Sequence, residues 1–80
     1  MTKRILLKVL MPGDRFVFLK PYLNYPKEEV FVFNGLTDIY VYGSNVFDVF
    51  PEYEEDNVFA IENTEVIFAG GNAYGYNEQS

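Results

Sequence analysis

The side chains that most often do chemistry are scarce in this chain. It holds no His and no Cys, which removes the commonest general base and the thiolate nucleophile. Ser occurs at Ser44 and Ser80 only, and neither has a His to activate it. Carboxylates remain, and a pair of them can do acid–base work. Glu52, Glu54, Glu55 and Asp56 form the densest acidic patch. Their spacing does not match a calcium loop, which needs alternating Asp or Asn ligands, a central Gly and a terminal Glu. A solvated charged turn is the plain alternative and the usual meaning of such a run. Gly70-Gly71 has no Gly-Lys-Ser/Thr pattern and no helix after it, so it reads as a flexible exit and not as a phosphate loop. The residues therefore point to no catalytic site, no metal and no cofactor, and the expectation is a protein that is not an enzyme.

Aromatic side chains offer binding in place of catalysis. Phe31, Phe33, Tyr40 and Tyr42 lie close together in the sequence. Small barrels bind single-stranded nucleic acid by stacking bases on such rings within a basic groove. The stretch that holds these four carries acids and no bases, which argues against nucleic acid as the partner, because phosphate neutralisation dominates that affinity. Tyr and Phe rimmed by acids is also the composition of a protein interface.

The element that must position these rings runs from Glu29 to Phe50. Nearly all its strand residues are β-branched or aromatic, and it reads as three strands joined by two turns. Asn34-Gly35 fits a two-residue type I′ turn, which needs positive φ at both central positions. That register puts Val30, Val32, Ile39 and Val41 on one face. It puts Phe31, Phe33, Leu36, Tyr40 and Tyr42 on the other. A three-residue loop, Gly43 to Asn45, is expected next, because it aligns Phe47 and Val49 with the aliphatic set and Asp48 with Tyr40. The aliphatic face is then the expected core. The aromatic face must be covered by the chain's own loops, by a second copy, or by a partner.

Other strands flank this unit. Lys3 to Leu10 is a strand or a short helix. Pro12-Gly13 specifies a type II turn, with Asp14 able to accept a backbone hydrogen bond at its exit. Arg15 to Lys20 is a strand, and the prolines at 21 and 26 mark a loop. Pro51 ends the last strand of the central unit. Val58 to Ile61 and Glu65 to Ala69 are two further short strands. The expected fold is all-β: a small single-domain SH3-like barrel or tightly curled antiparallel sheet of about six short strands over residues 1–70, with a flexible tail over 71–80.

Eighty residues make one domain, with a stability of roughly 4–12 kcal/mol. No apolar run is long enough to span a bilayer. The start, Met1 to Met11, resembles a signal peptide only until Lys8 breaks it, so no membrane association and a cytoplasmic location are expected. Charge is unevenly spread. Residues 1–27 hold all six bases and one acid, and residues 28–80 hold eleven acids and no base, for a net charge of −6. Such asymmetry arises either from a bipolar binding surface or from basic and acidic strands that neutralise one another locally.

The run Leu10-Met11-Pro12-Gly13-Asp14-Arg15-Phe16 resembles the opening of short SH3-like barrel proteins of bacterial and phage genomes, and Asn63-Thr64-Glu65-Val66-Ile67 resembles their closing strand. The two pieces cover about a sixth of the chain. The resemblance implies the fold and an accessory role in a phage or mobile element, and it carries over no functional residue. The expected function is a non-catalytic protein-binding module that occupies a host protein through Phe31, Phe33, Tyr40 and Tyr42. An acidic DNA mimic that uses Glu52, Glu54, Glu55 and Asp56 is the alternative, and a small-barrel binder of single-stranded nucleic acid is the third.

Overall fold

The fold is seen in a computed structural model, which describes residues 4–54 and 56–71. It is all-β: one antiparallel sheet of six strands, not closed into a barrel. The strands are β1 (Arg4–Leu6), β2 (Arg15–Phe18), β3 (Phe31–Val41), β4 (Ser44–Pro51), β5 (Val58–Ile61) and β6 (Glu65–Gly70). Their spatial order is β1-β6-β2-β3-β4-β5. The first segment combines both expectations for it, since β1 runs directly into a 3-10 turn at Leu7–Val9.

The Pro12-Gly13 turn forms as its residue types require. Gly13 has φ +97° and the Asp14 N–H donates to the Met11 carbonyl at 2.9 Å, which defines a type II turn. The Asp14 carboxylate is buried and accepts the Met11 N–H at 2.9 Å. The turn is then sewn to β3, because Gly13 donates to the Phe33 carbonyl and Phe33 donates to that of Asp14, each at 2.8 Å.

The central unit has two strands, not three. β3 runs unbroken through Asn34-Gly35, and the chain reverses at Tyr42-Gly43. The φ angles there are +51° and +81°, the left-handed pair of a type I′ turn, and Val41 pairs with Ser44 across it. Neither expected turn forms. At the first site Phe33 pairs with Val49 and Gly35 with Asp48, so Asn34 is an extra residue in β3. This is a β-bulge, and the φ of Gly35, +145°, absorbs it. A second irregularity sets Thr37, Asp38 and Ile39 against Val46 alone. The Thr37 hydroxyl fills the gap, donating to the Val46 carbonyl at 2.8 Å and accepting the Ile39 N–H at 3.0 Å.

The bulge shifts the strand alternation by one residue, much as the expected turn would have done. Phe31, Phe33, Leu36 and Tyr40 therefore share one side of the sheet, and Val32, Ile39 and Val41 share the other. The side that is buried is the aromatic one, which corrects the expectation of an aliphatic core. Phe31 and Phe33 are 1% and 3% exposed. They pack with Phe16, Phe18, Val49, Val58, Ala60, Val66, Leu7 and Leu10. Phe18 meets Phe16 and Phe31 edge-on at centroid distances of 5.2 and 4.9 Å, and Phe33 meets Phe47 at 5.0 Å. Each such contact adds about 0.5–1.5 kcal/mol beyond area burial. Rings win the interior because each buries about 150–250 Å², and a sheet this small needs that area from few residues.

The loop after β2 reaches one edge of the sheet. Tyr22 stacks on Phe18 with centroids 4.1 Å apart, and its hydroxyl donates to the Phe59 carbonyl on edge strand β5. The segment that leaves β2 is thereby tied to the far edge of the sheet, where an unpaired strand would otherwise invite pairing with another chain.

Candidate functional site

The face opposite the core carries the candidate site. Ile39 and Val41 from β3, Val46 from β4, and Phe59 and Ile61 from β5 line a shallow apolar groove of about 250 Å³. The strand register brings them together. Val46 pairs with Ile61, and Asp48 pairs with Phe59, so all of them project from the outer side of the sheet. Val46 is buried yet stands apart from the main core cluster, because the outer residues cover it. Ile39 and Ile61 are exposed, and Phe59 is 52% exposed.

Asp48 is the acidic residue that the register places on this face. Asp48 lies beside Phe59, and its carboxylate accepts the Asn34 and Asn57 side-chain amides at 2.9 and 2.7 Å. Glu62 follows Ile61 and so alternates to the other side, that of Tyr40 and Asn45, and its carboxylate accepts the Asn45 N–H at 2.6 Å. Asp38 precedes Ile39 and is exposed. Both Asp48 and Glu62 are held in place by neutral donors, so their charge is not cancelled by those partners.

The four aromatics expected to form one binding surface are separated by depth. Phe31 and Phe33 are core residues and cannot meet a partner in the folded chain. Tyr40 lies on the same side of β3, but beyond the end of the core, opposite Asn45, and is exposed. Tyr42 is 100% exposed at the tip of the β3–β4 hairpin.

Of the expected acidic patch, Glu52, Glu54 and Asp56 are placed, and Glu55 lies outside the described residues. Glu52 is engaged: it accepts from Arg15 at 2.8 Å. That hydrogen bond, and then the Glu52 charge, raise the Arg15 pKa. Here the basic first part of the chain and the acidic later part do neutralise one another. Partial burial raises the Tyr25 pKa, and the carboxylates of Glu54, Asp56 and Glu29 add to the rise. Among the described residues no group of three or more His, Cys, Asp or Glu is placed to hold a metal ion. No helix among them is long and apolar enough to cross a membrane. The expected tail lies outside the described residues apart from Gly71.

Sequence reasoning did not single out Phe59 or Ile61, and it assigned Ile39 and Val41 to the interior. The available signal was the alternation Val58-Phe59-Ala60-Ile61, whose two apolar sets cannot both face one core. Comparison with protein-family models, with curated proteins and with solved structures returns no match.

Proposed function

We propose that this protein is a non-catalytic protein-binding module. The observation that carries the reading is the uncovered apolar face of β3, β4 and β5, where Ile39, Phe59 and Ile61 stay exposed around Val46. A contiguous apolar patch with a polar rim is the usual surface of a partner site. Of the aromatic set, Tyr42, at the hairpin tip, is exposed next to that face, whereas Tyr40 projects from the opposite side of the sheet. The meander β2-β3-β4-β5, with β6 returning beside β2, supports an SH3-like reading of the sheet. With it goes the proposal of an accessory protein of a phage or mobile element acting in the host cytoplasm.

The second reading is acidic mimicry of nucleic acid. It is favoured by the exposed carboxylates of Glu54 and Asp56 in the segment between β4 and β5. Affinity capture from a bacterial lysate at low and at high salt separates the two. Apolar contact survives salt, whereas contact made by exposed charges is screened. A partner retained at high salt is the expected result. A partner lost at high salt transfers the function to the carboxylates, and no specific partner at either salt removes the module reading.

A further inference from the structure

Where the chain leaves β6 it passes a position with no room for a side chain. A Cβ placed on Gly71 would stand 2.6 Å from the Asp14 Cα and 2.7 Å from its Cγ, and closer still to Oδ1. Cβ atoms do not pack within 3.0 Å of such neighbours, so one of the two partners would have to move. The Gly71 backbone does not itself call for glycine, because its φ lies outside the left-handed region. The need is steric and comes from Asp14.

Asp14 cannot retreat. It is 0% exposed. Its N–H donates to the Met11 carbonyl and its carboxylate accepts the Met11 N–H, both at 2.9 Å. Its carbonyl accepts the Phe33 N–H at 2.8 Å. Moving Asp14 would open the Pro12-Gly13 turn and its seam to β3, and buried polar groups that lose their partners are costly. The neighbouring contact is softer. The Arg15 guanidinium lies 3.1 Å from where a Gly70 Cβ would stand, on its way to Glu52. That obstacle is the far end of a flexible side chain, and its exposed ion pair contributes little. Asp14 is the firm partner of the two.

We infer that Asp14 and Gly71 form a latch. The buried carboxylate on the Pro12-Gly13 turn closes against the bare Cα of Gly71 and fixes the course of the chain as it leaves β6. Through the Gly13 and Asp14 hydrogen bonds to Phe33, the latch couples that exit to the core strand β3. Displacement of residue 71 is therefore felt at the Gly13 and Phe33 amides. The latch does not depend on what the outer face of the sheet binds.

The sign of one substitution tests it. Gly→Ala at an unstrained, open position stabilises a protein by reducing the freedom of the unfolded chain. Without a latch, Gly71→Ala should leave the melting temperature unchanged or raise it. With the latch it should lower it by about 4–8 °C and speed hydrogen exchange at the Gly13 and Phe33 amides at least about tenfold. Arg15→Gln removes the exposed ion pair and leaves Asp14 in place, so it should change that exchange by less than about twofold. Asp14→Ser keeps a side-chain acceptor for the Met11 N–H and removes Oδ1, the nearest obstruction. Gly71→Ala should then lower the melting temperature less in the Asp14→Ser background than in wild type.

A melting temperature unchanged or raised by Gly71→Ala would overturn the latch. A lowered one with unaltered exchange at Gly13 and Phe33 would do the same, because the exit would be uncoupled from β3. An equal loss in both backgrounds would remove Asp14 as the partner. Should Asp14→Ser not fold, the exchange pattern of Gly71→Ala decides alone.

Discussion

Burial and not residue type separates Phe31 from Tyr40, although both project from the same side of β3. Phe31 stacks on Phe16 at 6.0 Å and meets Phe18 and Tyr25 edge-on at 4.9 and 5.2 Å. Its removal would leave a void lined by rings that cannot collapse into it. Phe31→Ala is expected to cost about 3–5 kcal/mol of unfolding free energy. Tyr40 has no such enclosure, and Tyr40→Ala should stay within about 0.5 kcal/mol of wild type. Ile39→Ala should cost under about 1 kcal/mol, because Ile39 is exposed on the outer face. Urea unfolding of the three variants checks the order. A Tyr40 variant as damaged as the Phe31 variant would mean that the far end of the hairpin is internal.

At the scale of elements, two features hold the sheet in its shape. The first is the bulge at Asn34-Gly35. Open space surrounds the position where a Cβ would stand on Gly35, so Gly35→Ala meets no steric clash. The cost is conformational, since φ +145° is open to Gly and strained for Ala, and about 1 kcal/mol is expected in urea unfolding. The second is the Tyr22 seam. Burial raises the Tyr22 phenol above its ordinary value of 10.0. A raised pKa in the folded state means that the neutral phenol is favoured there. Its contribution is present in full below pH 10 and is lost as pH rises through the folded value. The phenolate also loses the proton that Tyr22 donates to the Phe59 carbonyl. Tyr22→Phe should cost about 0.5–1.5 kcal/mol near neutral pH. Above pH 10 the gap to wild type should narrow, because the variant keeps Tyr25 but has no seam phenol to ionise. A gap that stays constant with pH would remove the phenol from the seam.

These elements also mark how far the sequence can be read. The Pro12-Gly13 turn, the strands at 58–61 and 65–70 and the two-sided character of residues 30–41 were legible, because turn chemistry and alternation are local. Asn34-Gly35 was misread because the same left-handed tolerance that suits a type I′ turn also suits a bulge. The choice between them is made by contacts distant in sequence. Running β3 straight through brings Phe33 opposite Val49 and next to Phe47, with Phe31 against the rings of β2. A hairpin closed at Asn34 would break those pairings. The true turn was hidden because Tyr42 is not a turn former, and the candidate site was hidden with it. Both faces of the hairpin are apolar, so alternation separates them without saying which one the other strands will cover.

At the scale of the whole molecule, charge sets what the protein can approach. The net charge is −6, and the sequence from residue 28 onward, which supplies β3 to β6, contains no base. Bases therefore reach the surface only through β1, β2 and the segments beside them. Arg15, at the start of β2, is already engaged by Glu52. An exposed pair of this kind contributes little to stability, but it removes Arg15 from any basic groove. A nucleic-acid strand laid along β3 to β5 would meet the Asp48 carboxylate on one side, or those of Asp38 and Glu62 on the other, without phosphate neutralisation to offset the repulsion. Stacking on Tyr40 or Tyr42 could add about 1–3 kcal/mol per base, which is too little alone for tight binding, since a micromolar complex needs about 8 kcal/mol. Fluorescence anisotropy with a labelled single-stranded oligonucleotide at moderate salt is therefore expected to show no submicromolar binding. Tight binding that weakens steeply with added salt would mean that Arg4, Lys8 and Lys20 assemble a phosphate track. It would move the protein from the protein-binding class to the nucleic-acid-binding one.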